Sequence, residues 1–148
     1  MYKHTQTGFF ILVSIGLAAL AIIVAVYMHA APRAALIVAG VLLVLLRTFG
    51  SLTVEVDAEH VSVRFGFGLV RRRFKLSDIR RAAVVRNRWF YGWGVRLLEH
   101  GWLYNVSGLD AVEIELANGE IDRIGTDEPQ ELAAAIHRAA GLKKESAR

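Results

Sequence analysis

The chain has 148 residues, a formal net charge of +4 and no cysteine, so disulfides, thiolate zinc sites and cysteine nucleophiles are excluded. Two apolar runs take up about a third of the length, which leaves roughly 100 residues for one small globular domain. The charge is uneven: residues 60–96 hold ten Lys and Arg against the single acid Asp78, whereas acids such as Glu99, Asp110, Glu113, Glu115, Glu120 and Asp122 are in excess from residue 97 onward. Such a division predicts an oriented domain whose positive side faces something anionic.

From Thr5 through Pro32 there is no Asp, Glu, Lys or Arg, and Phe9–Met28 is almost wholly apolar. About 20 such residues at ~1.5 Å rise make a helix of roughly 30 Å, the thickness of a bilayer's hydrocarbon core. A break at Ala30-Ala31-Pro32-Arg33 precedes a second apolar run, Ala34–Leu46, which ends on Arg47. That run crosses if Pro32 starts the helix and the Arg47 stem carries its charge to the interface, and its brevity also allows a re-entrant helix. The expectation is a transmembrane helical hairpin in residues 1–50, with spans of about 8–29 and 33–49. A cleaved signal peptide would need a shorter apolar region, and a soluble hairpin would show a polar stripe. Lys3, Arg47 and Arg64 flank the spans while only Arg33 lies in the turn between them. The positive-inside rule then places both termini and the following domain in the cytoplasm, as in a multi-pass protein of the inner (cytoplasmic) membrane.

Residues 51–141 read as a β-rich domain with a closing helix, and 142–148 as a polar tail. Leu52–Asp57 and His60–Phe65 alternate apolar with polar residues and form a hairpin through Ala58-Glu59, with Val61, Val63 and Phe65 inward. Gly66-Phe67-Gly68 breaks the run. The next strand, Leu69–Leu76, puts Arg71, Arg73 and Lys75 on one face, a candidate contact for anionic lipid. Arg72 interrupts the inward pattern and is expected at an edge or reaching past its neighbours. Ser77-Asp78-Ile79 makes a capped turn, and Ala82–Arg86 a fourth strand.

Trp89–Val106 is the densest aromatic stretch, and Trp93, Arg96, Trp102 and Tyr104 are its candidate partner surface. These rings could form a groove or an interfacial belt, or they could simply fill the interior of a small barrel. Asn105-Val106-Ser107 matches a glycosylation acceptor, although Ser107-Gly108 also reads as a turn. Ala111–Leu116 and Glu120–Gly125 form a hairpin through Asn118-Gly119. A two-residue turn would set Ile114 opposite Arg123. A three-residue turn with a glycine bulge, the favoured alternative, would set Ile114 opposite Ile124 and Glu115 opposite Arg123. A helix capped by Thr126 or Asp127, with Pro129 in its first turn, ends at Gly141 and buries Leu132, Ala135, Ile136 and Ala139.

Three blocks carry a resemblance: Tyr91-Gly92-Trp93-Gly94-Val95-Arg96; Gly101 to Gly108 with Ala111-Val112-Glu113; and Gly125-Thr126-Asp127-Glu128-Pro129. Together with Phe65 to Gly68 and Phe74 to Ile79, they resemble small bacterial membrane proteins that pair two N-terminal transmembrane helices with a pleckstrin-homology-like (PH-like) domain. The resemblance implies an α+β chain: a transmembrane hairpin, then an antiparallel β-barrel of seven to eight strands closed by a C-terminal amphipathic helix. It also implies a binding or scaffolding role without catalysis. Phosphoinositide-binding members of the wider PH class carry cations between their first two strands, where this chain has only Ala58-Glu59.

No catalytic, metal or cofactor site is expected. The five histidines (His4, His29, His60, His100, His137) are scattered, and no nucleophile elbow or phosphate loop is present. His100 beside Glu99 reads as a turn between strands. Two functions follow: a scaffold that binds a protein partner or a second copy beside an integral bilayer anchor, or a sensor of anionic lipid headgroups through Arg71, Arg73 and Lys75. The acidic second half and the tether argue against nucleic acid.

Overall fold

A computed structural model describes residues 1–29 and 32–142 of the chain. The Ala30-Ala31 part of the expected turn and the tail Lys143–Arg148 lie outside the described residues. Strand β1 (Tyr2–Thr7) is followed by helices α1 (Phe9–His29) and α2 (Pro32–Phe49). Strands β2 (Ser51–Val56), β3 (His60–Phe65), β4 (Arg71–Lys75), β5 (Ile79–Arg86), β6 (Gly94–Leu98), β7 (Gly101–Asn105), β8 (Asp110–Leu116) and β9 (Ile121–Gly125) come next, and α3 (Pro129–Ala140) is the last element.

The strands form two sheets. The first is antiparallel in the order β1-β2-β3-β4, and the second is mixed in the order β5-β8-β9-β7-β6, with β7 parallel to β9. The expected closed PH-like barrel of seven to eight strands is therefore not formed. Among the described residues there are nine strands, and no backbone ladder joins the two sheets. Alternating apolar residues make each sheet one-sided, and their inner faces share a core of Val54, Val61, Val63, Phe65, Phe74, Val112, Ile114 and Ile124. Leu132 and Ile136 of α3 complete it, both fully buried.

Among the described residues one helix, Phe9–Met28, is long and apolar enough to cross a membrane, with 20 residues and a mean hydropathy of 3.0. The expected two-helix transmembrane hairpin is corrected accordingly, and with it the multi-pass placement that put both termini in the cytoplasm. In α2 the apolar run 34–46 lies between Arg33 and Arg47, and at ~1.5 Å per residue it reaches only about 20 Å. The two helices do pack on each other. Ile11, Ile15, Ala18, Ile22 and Val26 form the half-buried side of α1, and Ala35, Leu42 and Leu46 that of α2.

Strand β1 was not expected. Its inward residues are Tyr2, His4 and Gln6, none of them aliphatic, so no hydrophobic alternation marks it. Distant partners hold it instead. The Tyr2 hydroxyl donates to Glu128 Oε2 at 3.1 Å, His4 Nε2 lies 2.6 Å from Asp127 Oδ1, and Gln6 Nε2 donates to the Ser107 carbonyl at 3.2 Å. Thr7 pairs with Ser51, and the Gly8 N–H donates to the Gly50 carbonyl at 2.8 Å. The start of α1 and the end of α2 thus meet at one point on the first sheet.

Local expectations fare better. Val61, Val63 and Phe65 are fully buried, and Leu52 pairs with Phe65. Gly119 takes φ 86° in the Asn118-Gly119 turn, which spans residues 117–120 between β8 and β9, and neither expected alignment occurs. Glu113 faces Arg123 and Ile114 faces Asp122, a register that gives Arg123 an ion pair with Glu113 at 2.8 Å. In α3, Gly141 supplies the left-handed C-terminal residue at φ 65°, whereas no side chain caps the N-terminus at Glu128.

Candidate functional site

The α1 surface is the most unusual feature of the molecule. None of the Phe9–Met28 window is buried inside the protein, and residues on several sides of the helix, including Leu12, Val13, Leu17, Leu20, Ile23 and Val24, are exposed. A helix that is hydrophobic all round is a buried helix, and here the protein covers only the side that meets α2 and the first turn, where Phe10 meets Trp93. Leu36, Ile37, Val41, Leu43 and Val44 extend the exposed apolar surface along α2. Isolated exposed apolar residues are ordinary, but a contiguous surface of this length calls for a covering phase.

Three loops gather where the helices meet the sheets. In the β3–β4 loop the Gly66 N–H donates to the Ser51 carbonyl at 2.9 Å. Gly66 has φ 46°, and a Cβ there would overlap the Arg47 carbonyl, so glycine is what lets this loop seat under α2. In the β5–β6 loop, Trp93 stacks on Phe10 of α1 with centroids 4.5 Å apart and planes 14° from parallel. The β7–β8 loop packs its Val106 against Gly8. Phe67, Leu69, Trp89 and Phe90 stand exposed on the first two of these loops, and the Arg88 guanidinium lies 5.1 Å from the Phe90 ring centroid. The four loops at the other ends of the strands are bonded to one another: Leu76 N–H to the Glu59 carbonyl, Ala117 N–H to Asp78, and Ile121 N–H to His100.

The predicted basic strand runs between these two ends. Arg71, Arg73 and Lys75 are exposed on the outer face of β4, opposite Arg64, Ser62 and His60 respectively. Arg71 lies at the junction and Lys75 at the far end, about 13 Å further along at ~3.3 Å per residue. Arg72 projects from the other face, as its break in the pattern predicted. Its guanidinium is 5.6 Å from the Phe74 ring centroid, 3.4 Å from Glu120 Oε1 and 4.0 Å from Asp122 Oδ2. Arg72 therefore closes with side chains the seam between the sheets that backbone bonds leave open.

The aromatic candidates do not form one surface. Trp93 belongs to the junction, with its indole N–H buried and unpartnered. Arg96 is exposed on β6, and Trp102 is 38% exposed at the opposite end of β7. Tyr104 is buried against Phe74 with ring centroids 6.4 Å apart, and burial, assisted by the Asp122 charge, pushes its hydroxyl pKa up to about 12. Asp122 is itself fully buried. Its Oδ1 accepts the Trp102 N–H at 2.7 Å while Oδ2 has no hydrogen-bond partner. Burial raises its carboxyl above the ordinary aspartate value, with the Trp102 N–H working in the opposite direction.

Asn105, from the acceptor-like triplet, is 1% exposed. Its amide donates to the Gly108 carbonyl and its Oδ1 accepts the Ser107 N–H, each at 3.2 Å, so it closes the turn from inside. Two shallow clefts of about 480 and 490 Å³ flank Ala58 beneath the end of α3, one reaching Tyr2 and Arg138 and the other His60 and Lys75. Among the described residues no three His, Asp or Glu side chains are grouped to hold a metal ion. No family model, curated protein or solved structure matches the chain, so the resemblance to PH-like membrane proteins rests on the quoted sequence blocks alone.

Proposed function

We propose that this protein is a membrane-attached binding module without catalytic activity, held in lipid by α1 and offering its two-sheet body to a partner. The observation that carries the reading is the apolar surface of α1, which beyond its first turn is exposed on the sides that α2 does not touch. A soluble partner would need only one face of such a helix, whereas lipid covers it all round. The ladder of β1 with β2 supports a helix kept in the working protein, because the segment before α1 is a registered strand of the body. Among the described residues Asp122 and Asn105 are buried and structurally engaged, and the His4 contact with Asp127 and Glu128 ties β1 to the start of α3, uses that favour binding over chemistry. Detergent-free cell breakage tests the reading. The full-length chain should sediment with membranes, resist an alkaline wash and be released by mild detergent together with its partner. Recovery in the aqueous fraction would overturn it.

A further inference from the structure

We infer that the junction end of the body is a lipid-headgroup contact surface: Phe67, Leu69, Trp89 and Phe90 enter the interface of an anionic bilayer while Arg88 and Arg71 meet its phosphates. The inference rests on the membrane reading above and adds which end of the body touches lipid, and through which residues. Two features converge on it, and a third sets its reach.

The first is continuity. Trp93 is stacked on Phe10 in the first turn of α1, and Gly66 is seated on the Arg47 carbonyl at the end of α2. The loops carrying the four exposed apolar residues are thus fixed at the level where α1 would leave lipid. Trp89 is 79% exposed, Leu69 68%, Phe67 67% and Phe90 56%; the Trp89 indole, apolar with one N–H, suits the headgroup level, and the other three supply purely apolar area for lipid to cover.

The second is charge. Junction loops 66–70, 87–93 and 106–109 contain Arg88 and no acid, and Arg47, Arg64, Arg71 and Arg86 stand beside them; the acids at this end are Asp110, opposite Arg86, and Asp127 and Glu128, which follow β9 and are engaged by His4 and Tyr2. The opposite loops 57–59, 76–78, 99–100 and 117–120 contain Asp57, Glu59, Asp78, Glu99 and Glu120 with no Lys or Arg, and Lys75, Arg80 and Arg81 beside them offset only part of that charge. An anionic surface attracts the first end and repels the second.

The third is distance. With a Debye length of about 8 Å at physiological salt, a cation about 13 Å deeper along β4 is largely screened. Of the basic strand, therefore, Arg71 contacts headgroups and Lys75 does not. The same orientation leaves the acidic end and the clefts beneath α3 facing away from the membrane, where a soluble partner can reach them.

The three tryptophans make the test direct, because Trp89 lies at the junction and Trp102 at the far end of β7. Two full-length variants are compared, one retaining only Trp89 (Trp93→Phe, Trp102→Phe) and one retaining only Trp102 (Trp89→Phe, Trp93→Phe). Phenylalanine at position 93 keeps the stack on Phe10. Each is reconstituted in phosphatidylcholine/phosphatidylglycerol vesicles with or without brominated acyl chains. The expected result is loss of most Trp89 emission to the bromines and no loss for Trp102. If both variants float with the vesicles and Trp89 is unquenched, or both are quenched equally, the headgroup contact is wrong while membrane attachment stands. If neither variant floats, attachment itself is wrong and the contact falls with it.

Discussion

At the junction end of the β body the connecting loops present Phe67, Leu69, Trp89 and Phe90 with Arg88, whereas at the other end they present Asp57, Glu59, Asp78, Glu99 and Glu120. Both ends belong to the same two sheets, but the far loops bond to one another whereas the junction loops seat against α1 and α2. The contrast has meaning only relative to α1, which leaves from the first end. A body whose sticky, cationic end surrounds an uncovered apolar helix is suited to sit on an anionic bilayer and to keep its acidic end in water.

The largest expected effect comes from removing the apolar character of α1. Leu17→Arg with Ile23→Arg adds about 3 kcal/mol of insertion cost per residue at the centre of a helix. The doubly substituted protein should leave the membrane fraction, while its β body unfolds at an unchanged denaturant midpoint in detergent. Next is Phe65→Ala. Phe65 is fully buried and lies edge-on to Phe49 of α2 with centroids 5.7 Å apart, so about 3–5 kcal/mol of stability should be lost in equilibrium denaturation.

Trp93 sharpens the comparison because it is the ring that ties a junction loop to α1. Trp93→Ala should cost about 2 kcal/mol, whereas Trp93→Phe, which keeps the stack and removes the orphan N–H, should cost under about 1 kcal/mol. A smaller effect concerns orientation. Arg71→Glu should reduce Trp89 quenching in anionic vesicles, at a scale of about 1 kcal/mol per charge near the surface, and Lys75→Glu should leave the quenching unchanged.

The far end offers a pH test through Asp122. Its carboxyl is raised in the folded state, so the folded protein binds this proton more tightly than the unfolded chain does. The sign follows: Asp122 opposes folding at neutral pH, and that cost disappears as pH falls through the raised value towards the ordinary 3.8. Relative to Asp122→Asn, the wild-type protein should therefore gain stability on acidification across that window, measured by urea unfolding at a series of pH values.

Much of the body was legible because period and punctuation are local. Val61, Val63 and Phe65 alternate within one strand, Gly119 marks its own turn, and Pro129 and Gly141 bracket α3 without outside help. Strand β1 was illegible for the opposite reason: Tyr2, His4 and Gln6 face inward only because Glu128, Asp127 and Ser107, more than 100 residues away, receive them. Alternation also gives strands but not closure. Whether β4 meets the second sheet through backbone or through Arg72 depends on sheet curvature, which no short window encodes. The candidate site suffered in the same way. Trp93 and Trp102 are nine residues apart in one aromatic run, yet the β6–β7 hairpin sends them to opposite ends of the body, so composition could show that the rings matter but not which end holds them.

The absence of cysteine from the chain permits the most direct measurement. Leu20→Cys lies mid-way along α1, where the protein itself leaves the position 58% exposed, and Asn118→Cys lies in an exposed turn at the acidic end. Labelling by a water-soluble maleimide is compared for each variant as a single copy in phosphatidylcholine/phosphatidylglycerol nanodiscs. Position 118 should react fully and position 20 should be protected. Reaction at position 20 as fast as at 118 would show that water, not lipid, covers α1.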